Sequence, residues 1–247
     1  MFKGTSASAG IGIGKAVIVE EAELVITRNE VADAEGEIQR FKGALEKTIA
    51  ATQKMADDLA SRVGEKEAEI MQGHMMLLSD PMLTGEIENS VRNDKVNSEF
   101  AIENVCNMYA DMFASMGDEL MQQRATDMRD IKVRMQRTLM GLESVDVSLL
   151  PKGSILVAKD LTPSMTAGIN PENVSGIVTE LGGKTSHSAI LARALEIPAV
   201  VAVNGLMDAV KDGDKVVLDG STGEVFVDPE ASVEKEYEEK RKQFFKR

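Results

Sequence analysis

Tryptophan is absent from this 247-residue sequence, and aromatic residues make up only 4% of it. Fifteen methionines supply apolar volume instead, and their flexible side chains suit both irregular cores and adaptable binding surfaces. Hydrophobic residues still account for 43% of the chain and charged residues for 28%, as in ordinary globular proteins. A chain of this length can bury the core of one large domain or two modest ones.

Cysteine is also scarce, and positive charges are outnumbered by negative ones. Cys106 is the single cysteine, so no internal disulfide can form and a reducing compartment is expected. It lies on an apolar helical pattern, where a buried, inert thiol is expected. Lys and Arg number 28 against 41 Asp and Glu, for a net charge of −13. This charge argues against nucleic acid or anionic membranes as partners and favours basic proteins or simple solubility.

Long hydrophobic runs are missing as well. No stretch approaches 18 consecutive apolar residues, and the first ten residues lack the apolar core of a signal peptide. We therefore expect a cytoplasmic protein with no membrane insertion.

The hydrophobic period changes twice along the chain. Residues 11–20 are rich in glycine and β-branched residues, which predicts a turn and a strand. Apolar residues then recur at helical spacing to about residue 143, and short β-branched segments return from about residue 151. We predict an α/β domain from 1–30 and 144–230, an inserted all-α helical subdomain at 31–143 and a charged terminal helix at 231–247.

Local signals place several element boundaries. Asp80 before Pro81 predicts a capped helix start, Asn97 a second one, and Gly141 a helix end. In the later segment, a helix-length stretch separates SGIVTE from PAVVAV, which predicts a β-α-β unit. Because the strand at 11–20 has no neighbours of its kind before residue 150, we expect it to join the later strands.

The residues from Gly182 to Arg193 form the candidate site for binding an anion beside a nucleophilic histidine. Gly182 and Gly183 permit positive φ and close backbone approach to a ligand, and the hydroxyl residues that follow suit a helix N-cap. A helix start at His187 offers unpaired N–H groups and a partial positive charge to an anion. We expect that charge to disfavour imidazolium, which helps keep the ring a nucleophile. The residues that we expect to support a phosphate or the ring here are Gly182, Gly183, Lys184, Thr185, Ser186 and Arg193.

Local chemistry alone leaves other interpretations open. His187 could simply cap or pack at a helix start, and two adjacent glycines could form a plain tight turn.

The run GGKTSHSAILAR at 182–193 resembles the phosphohistidine signature of phosphoenolpyruvate-utilising enzymes. This family includes Enzyme I of the sugar phosphotransferase system, pyruvate-phosphate dikinases and phosphoenolpyruvate synthases. GTSASAGIGIGKAV at 4–17 is similar to the start of Enzyme I, and the segments EIMQGHMMLLSDPML, RATDMRDI and AKDLTPSMTA resemble others in it. The resemblance covers essentially the whole chain and corresponds to the amino-terminal half of Enzyme I.

The resemblance implies a phosphoryl relay. His187 would receive a phosphoryl group from phosphoenolpyruvate on Nε2 and pass it to a histidine of the carrier protein HPr, with Thr166 holding the ring. It also implies a carboxy-terminal domain that binds phosphoenolpyruvate and Mg²⁺ and dimerises. We expect this chain alone to need no cofactor or metal, to be monomeric, and to exchange phosphoryl reversibly with HPr.

The same resemblance places HPr against the helices around GHMMLL. Met76, Leu77, Leu83 and Arg124 are then expected to contact it. Apolar residues at this spacing are more often core than interface, but four consecutive apolar residues at 75–78 cannot all face inward on one helix.

Two further positions near that segment invite a role. Some relatives have a lysine seven residues before the GH histidine, where this chain has Glu67 beside Lys66, so we transfer that role to neither residue. His74, flanked by apolar residues, is interpreted as structural.

Two other classes of protein remain open. The chain could be the swivelling domain of a dikinase or synthase, although its amino terminus argues against this, or a non-enzymatic helical adaptor for a basic protein. The nitrogen-regulatory and dihydroxyacetone phosphotransfer systems use similar modules, and the sequence does not separate them.

Overall fold

The computed structural model describes residues 1–143 and 146–246. The chain divides into two compact units: Met1–Glu21 with Val145–Arg247, and Ala22–Ser144. The described residues form nine α-helices and an eight-stranded mixed sheet. The predicted combination of an α/β domain with an inserted helical subdomain is confirmed.

The elements are numbered in chain order. The strands are β1 Phe2–Lys3, β2 Thr5–Ser8, β3 Ile11–Ile18, β4 Ser154–Ala158, β5 Val174–Thr179, β6 Ala199–Val201, β7 Lys215–Asp219 and β8 Glu224–Val227. The helices are α1 Ala34–Arg62, α2 Glu65–Leu78, α3 Pro81–Asp94, α4 Ser98–Ser115, α5 Glu119–Met140, α6 Pro163–Ala167, α7 His187–Ala194, α8 Leu206–Ala209 and α9 Ala231–Phe245. A 3₁₀ turn spans Val147–Leu149.

All eight strands of the α/β unit join one sheet, in the order β1-β8-β7-β3-β4-β5-β6-β2. Strand β3 pairs in parallel with β4 and antiparallel with β7, so the early strand does join the later ones. Strands β5 and β6 are parallel and connected through α7, which is the predicted β-α-β unit. The parallel strands therefore end together at one edge of the sheet, where ligands bind in open α/β folds.

Both faces of this sheet are covered. Every residue of β4 is buried, as expected for a central parallel strand. Successive side chains of a strand point to opposite faces. Accordingly, Leu156 packs in a cluster with Ala189 and Ala192 of α7, whereas Ile155 and Val157 pack in the cluster that contains residues of α8.

Helices α1 to α5 of the other unit share an apolar core cluster. Ile38, Phe41 and Leu59, which recur at helical spacing along α1, are buried. Asp80 caps α3 by accepting from the Met82 N–H at 2.9 Å, and Pro81 is the first helical residue, as predicted. Ile38 and Phe41 belong to one apolar cluster, whose other buried residues are Leu78, Leu83, Ile87, Val91, Val96, Ala101, Ile102, Val105, Cys106, Ala110, Met128, Ile131 and Met135.

The segment 22–30 belongs to the helical unit, although the sequence patterns grouped it with the strands. Asn97 explains the difference. Its side-chain oxygen accepts from the Asn29 N–H at 2.9 Å, and its amide donates to the Thr27 carbonyl at 3.1 Å. Asn97 occupies the N-cap position of α4 as predicted, but its side chain holds this segment instead of capping the helix.

None of the helices in the described ranges combines the length and apolarity needed to cross a membrane.

Candidate functional site

A short loop connects β5 to α7 at the carboxyl edge of the parallel strands. Two hydrogen bonds hold the start of this loop against the sheet: the Leu181 N–H donates to the Lys159 carbonyl at 2.9 Å, and the Thr179 hydroxyl donates to the Leu181 carbonyl at 2.6 Å. Gly182 then adopts φ +104, a conformation that strongly favours glycine. The glycine predicted to turn the chain here does so by positive φ.

Ser186 caps the helix that follows. Its hydroxyl oxygen accepts from the Ala189 N–H at 3.3 Å, and the hydroxyl donates to the Gly183 carbonyl at 2.7 Å. One side chain therefore satisfies a helix N–H and also fixes the loop before it. The predicted N-cap is present, and α7 begins at His187.

His187 is the first residue of α7 and is only 9% exposed. Its Nε2 atom is buried and makes no hydrogen bond, while the residue has other interactions with its surroundings. The first turn of a helix carries free backbone N–H groups and a partial positive charge. Negative charge that develops beside this ring is therefore stabilised.

Thr166 lies on α6, which follows the neighbouring strand β4. Thr162 caps this helix by accepting from the Met165 N–H at 3.3 Å, and the Thr166 hydroxyl donates to the Pro163 carbonyl at 2.8 Å. Helix α6 packs against α7, and Thr166 is 3% exposed. Thus the structure brings together the helices that carry Thr166 and His187, which are 21 positions apart in the sequence.

Two cationic residues belong to the same loop and helix. Lys184 and Thr185 are exposed at the tip of the loop. Arg193, in the last turn of α7, donates from Nη1 to the Ala7 carbonyl at 2.7 Å and from Nη2 to the Lys184 carbonyl at 2.9 Å. Sequence reasoning did not identify Ala7 as part of this region, because its contribution is a backbone carbonyl.

The predicted docking residues have different degrees of exposure. Met76 is 73% exposed, Arg124 is exposed and Leu77 is partly buried. Leu83 is 2% exposed and packs in the helical core, so it offers almost no surface to a partner.

Several methionines to which the sequence assigned no binding role are exposed on α3, on α4 and at the C-cap of α4. The exposed fractions are 68% for Met82, 54% for Met108, 44% for Met112 and 53% for Met116. The last three repeat every fourth residue, along α4 and its C-cap.

His74 is fully buried in the helical unit. Its Nε2 lies 3.0 Å from Oδ1 of Asp127, a contact between α2 and α5. Lys66 is exposed and Glu67 is partly buried on the same helix α2. This geometry agrees with a structural role for His74.

Cys106 is buried in the helical unit. Burial raises the pKa of the Cys106 thiol to about 12, so the nucleophilic thiolate is disfavoured. No group of three or more His, Cys, Asp or Glu side chains that could hold a metal ion occurs within 1–143 and 146–246.

Two family models match the chain. The amino-terminal model of phosphoenolpyruvate-utilising enzymes matches residues 3–124, and the model of their mobile domain matches residues 150–223. The second range contains the entire loop and helix around His187.

Curated relatives match nearly the whole chain. It is 41% identical over 239 residues to the phosphoenolpyruvate-protein phosphotransferase of Bacillus subtilis (strain 168), covering 97% of this chain and 42% of that protein. It is 40% identical over 245 residues to that of Staphylococcus carnosus (strain TM300), covering 99% and 43%. The chain thus spans less than half the length of these relatives.

Two solved structures show the same fold. A solution structure of Enzyme I (nEIt) is 38% identical, with a TM-score of 0.86 and 99% of each chain covered. The N-terminal domain of Enzyme 1 - Nitrogen is 26% identical, with a TM-score of 0.62 and coverage of 97% and 98%.

Proposed function

Because the chain belongs to the phosphoenolpyruvate-utilising enzymes and matches the amino-terminal domain of Enzyme I, we propose that His187 carries a phosphoryl group from phosphoenolpyruvate to a histidine of HPr. The observation that supports this most directly is the buried imidazole at the first position of α7, behind a glycine turn at the carboxyl edge of parallel strands. The names of the curated relatives specify phosphoenolpyruvate as donor and a protein as acceptor.

The proposed step is a direct exchange between two imidazoles. A lone pair on Nε2 of His187 attacks phosphorus, the N–P bond to the histidine of phospho-HPr breaks, and the electrons of that bond return to the departing nitrogen. The reverse reaction uses the same atoms, so the exchange is reversible. Such a transfer needs positioning and charge compensation more than bond-making groups from the protein.

The loop and helix would supply that compensation. The first N–H groups of α7 and the backbone around Gly182 and Gly183 offer donors to phosphoryl oxygens. Lys184 adds a mobile positive charge, and Thr185 and Ser186 add hydroxyl donors. Thr166 would hold the ring from α6, which packs against α7.

We further propose that HPr docks on the helical unit at Met76, Leu77 and Arg124. Large exposed apolar side chains such as Met76, at 73%, are expected at a partner surface. Leu83 would shape this surface from beneath, because it is buried in the core. A further domain that binds phosphoenolpyruvate and Mg²⁺ would transfer the phosphoryl group to His187.

The test uses phospho-HPr as donor and this chain as acceptor, without phosphoenolpyruvate. We expect an acid-labile phosphoryl group on the wild-type chain and none on His187→Ala. The chain has only two histidines, and trypsin separates them into the peptides 67–92 and 185–193. Mass spectrometry of these peptides therefore identifies the modified ring.

Three outcomes would overturn the proposal: an unlabelled wild type, a labelled His187→Ala variant, or phosphate on the peptide that contains His74. An adaptor without enzymatic activity would bind HPr equally well before and after the His187→Ala substitution and would never become labelled.

A further inference from the structure

Arg193 bridges two backbone carbonyls that lie far apart in the sequence. It lies in the last turn of α7, and helical side chains lean toward the helix N-terminus, which here is the end that carries His187. Its Nη1 donates to the Ala7 carbonyl at 2.7 Å and its Nη2 to the Lys184 carbonyl at 2.9 Å.

The Ala7 carbonyl is available because β2 is irregular. Ser6 pairs with Val200 and Ser8 with Ala199, which are adjacent residues of β6, so Ala7 is the extra residue of a β-bulge. A bulged residue lies outside the regular ladder of hydrogen bonds. The bulge thus turns a backbone group of the edge strand into an acceptor for α7, and β2 and α7 pack together.

Lys184 is the central residue of the loop Gly182–Ser186. Its carbonyl lies three positions before His187 and is held by Arg193. The Ser186 hydroxyl holds the Gly183 carbonyl from the helix side. Two consecutive carbonyls of the loop are thereby held, one by its own N-cap residue and one by Arg193 of α7, and the guanidinium also connects the loop to the sheet edge at Ala7.

We infer that Arg193 is a positioning residue that braces the β5–α7 loop against the bulge of β2, and that it is not the counter-charge of the phosphoryl group. The two amino groups of its guanidinium are used on neutral carbonyls within the protein. The consequence for phosphoryl transfer rests on the proposed function of His187, whereas the brace itself is a property of the fold.

Substitution of Arg193 by lysine or by methionine distinguishes a brace from a counter-charge. A guanidinium is a planar fork whose amino groups can reach two acceptors at once, while an ammonium is a compact point charge. Arg193→Lys therefore keeps the charge and loses the bridge, and Arg193→Met loses both. A brace predicts similar defects in the two variants, but a counter-charge predicts that lysine retains most of the activity.

The first measurement needs no phosphoryl chemistry. Hydrogen exchange of the Ser186 and Ala189 amides, which donate to the Gly183 carbonyl and the Ser186 hydroxyl, should speed up about tenfold or more in both variants, because opening of the loop no longer requires breaking the bridge. Amides of α9 in the same unit serve as the internal control and should keep their wild-type rates. Arg92→Lys, the same change in an exposed ion pair with Glu35, should alter neither set.

The second measurement is phosphoryl transfer from phospho-HPr. We expect kcat to fall by about tenfold to a hundredfold in both variants, since small misplacements of reacting groups have effects of this size. KM for phospho-HPr should stay within about threefold, because the proposed docking surface lies on the helical unit.

The inference is wrong if Arg193→Lys keeps wild-type exchange rates and kcat while Arg193→Met loses activity, or if both variants match the wild type. If the Met variant does not fold, the Lys variant alone decides. An unlabelled wild-type chain would refute the proposed function, and the exchange rates of the Ser186 and Ala189 amides would still confirm or refute the brace.

Discussion

The two histidines of this chain occupy different chemical surroundings. His74 lies in the middle of α2 and is held by the Asp127 carboxylate at 3.0 Å, so its ring serves as a hydrogen-bonding group between helices. His187 begins a helix, where free N–H groups and the helix dipole favour an incoming anion. Position relative to a helix end, more than burial, separates the proposed nucleophile from the structural imidazole.

Substitutions at Met76 and Leu83 test the proposed docking surface. Because Met76 is 73% exposed, Met76→Asp should change the free energy of unfolding by no more than about 0.5 kcal/mol. It should weaken HPr binding by roughly tenfold or more, since it places a charge in an apolar contact. Leu83→Ala should instead cost about 2–5 kcal/mol of stability by opening a core cavity. Urea unfolding and calorimetric titration with HPr measure the two effects.

Leu149→Asp provides the matched control for that pair. Leu149 is 78% exposed on the α/β unit, so the substitution should leave HPr affinity unchanged. Wild-type affinity in Met76→Asp would remove Met76 from the interface.

Helix α9 shows how a highly charged element is anchored. Tyr237 is its buried residue, and the phenol donates to Oε2 of Glu224 at 2.8 Å. The Tyr237 ring packs against Phe226 with centroids 5.1 Å apart. Lys240 lies 4.3 Å above the same ring, and Lys215 pairs with Glu234 at 2.8 Å. The terminal helix is therefore part of the α/β unit, fixed on β7 and β8.

Tyr237→Phe tests this anchor. Removing the hydroxyl should lower the free energy of unfolding by about 1 kcal/mol near neutral pH, because one buried hydrogen bond to a carboxylate is lost. Burial and the Glu224 carboxylate raise the pKa of Tyr237 above its usual value. The wild-type advantage should therefore be full below the unfolded-state pKa of about 10 and shrink as pH rises above it. Urea titrations from pH 7 to 11 measure the difference, and a constant gap across this range would contradict the assignment.

The whole molecule combines the proposed phosphoryl-accepting site on one unit with exposed methionines on the other. Both units are compact by themselves, and the chain crosses between them twice. Its net charge of −13 adds a long-range field that local contacts do not describe. Such a field attracts a basic docking face from solution and accelerates encounter more than it tightens the final complex.

Ionic strength tests that electrostatic contribution. We expect the association rate with HPr to fall by about tenfold between 50 and 500 mM salt, because charges more than roughly 10 Å apart are screened at such concentrations. The dissociation rate should change much less. Stopped-flow mixing measures both rates, and an association rate independent of salt would show that the acidic field does not guide HPr.

Periodicity, caps and one contiguous motif were enough to predict much of this protein from sequence. Helix α1, the Asp80-Pro81 helix start, the β5-α7-β6 unit and the N-cap before His187 all depend on residues within a few positions of one another. The side-chain period also predicted the insertion of a helical subdomain between strands. Such features can be predicted from sequence because they depend on the types and spacing of neighbouring residues.

Only the tertiary structure decided which residues meet across long separations. The family resemblance placed Leu83 at the interface, but its side chain is enclosed in the helical core, while Met108 and Met112 of α4, to which the sequence assigned no role, are exposed. Asn97 holds the segment 22–30 on the helical unit, and Arg193 donates to the carbonyl of Ala7, 186 positions away. Burial and backbone acceptors depend on how elements pack, so residue type and spacing could predict the helix that carries His187 but not the groups that brace it.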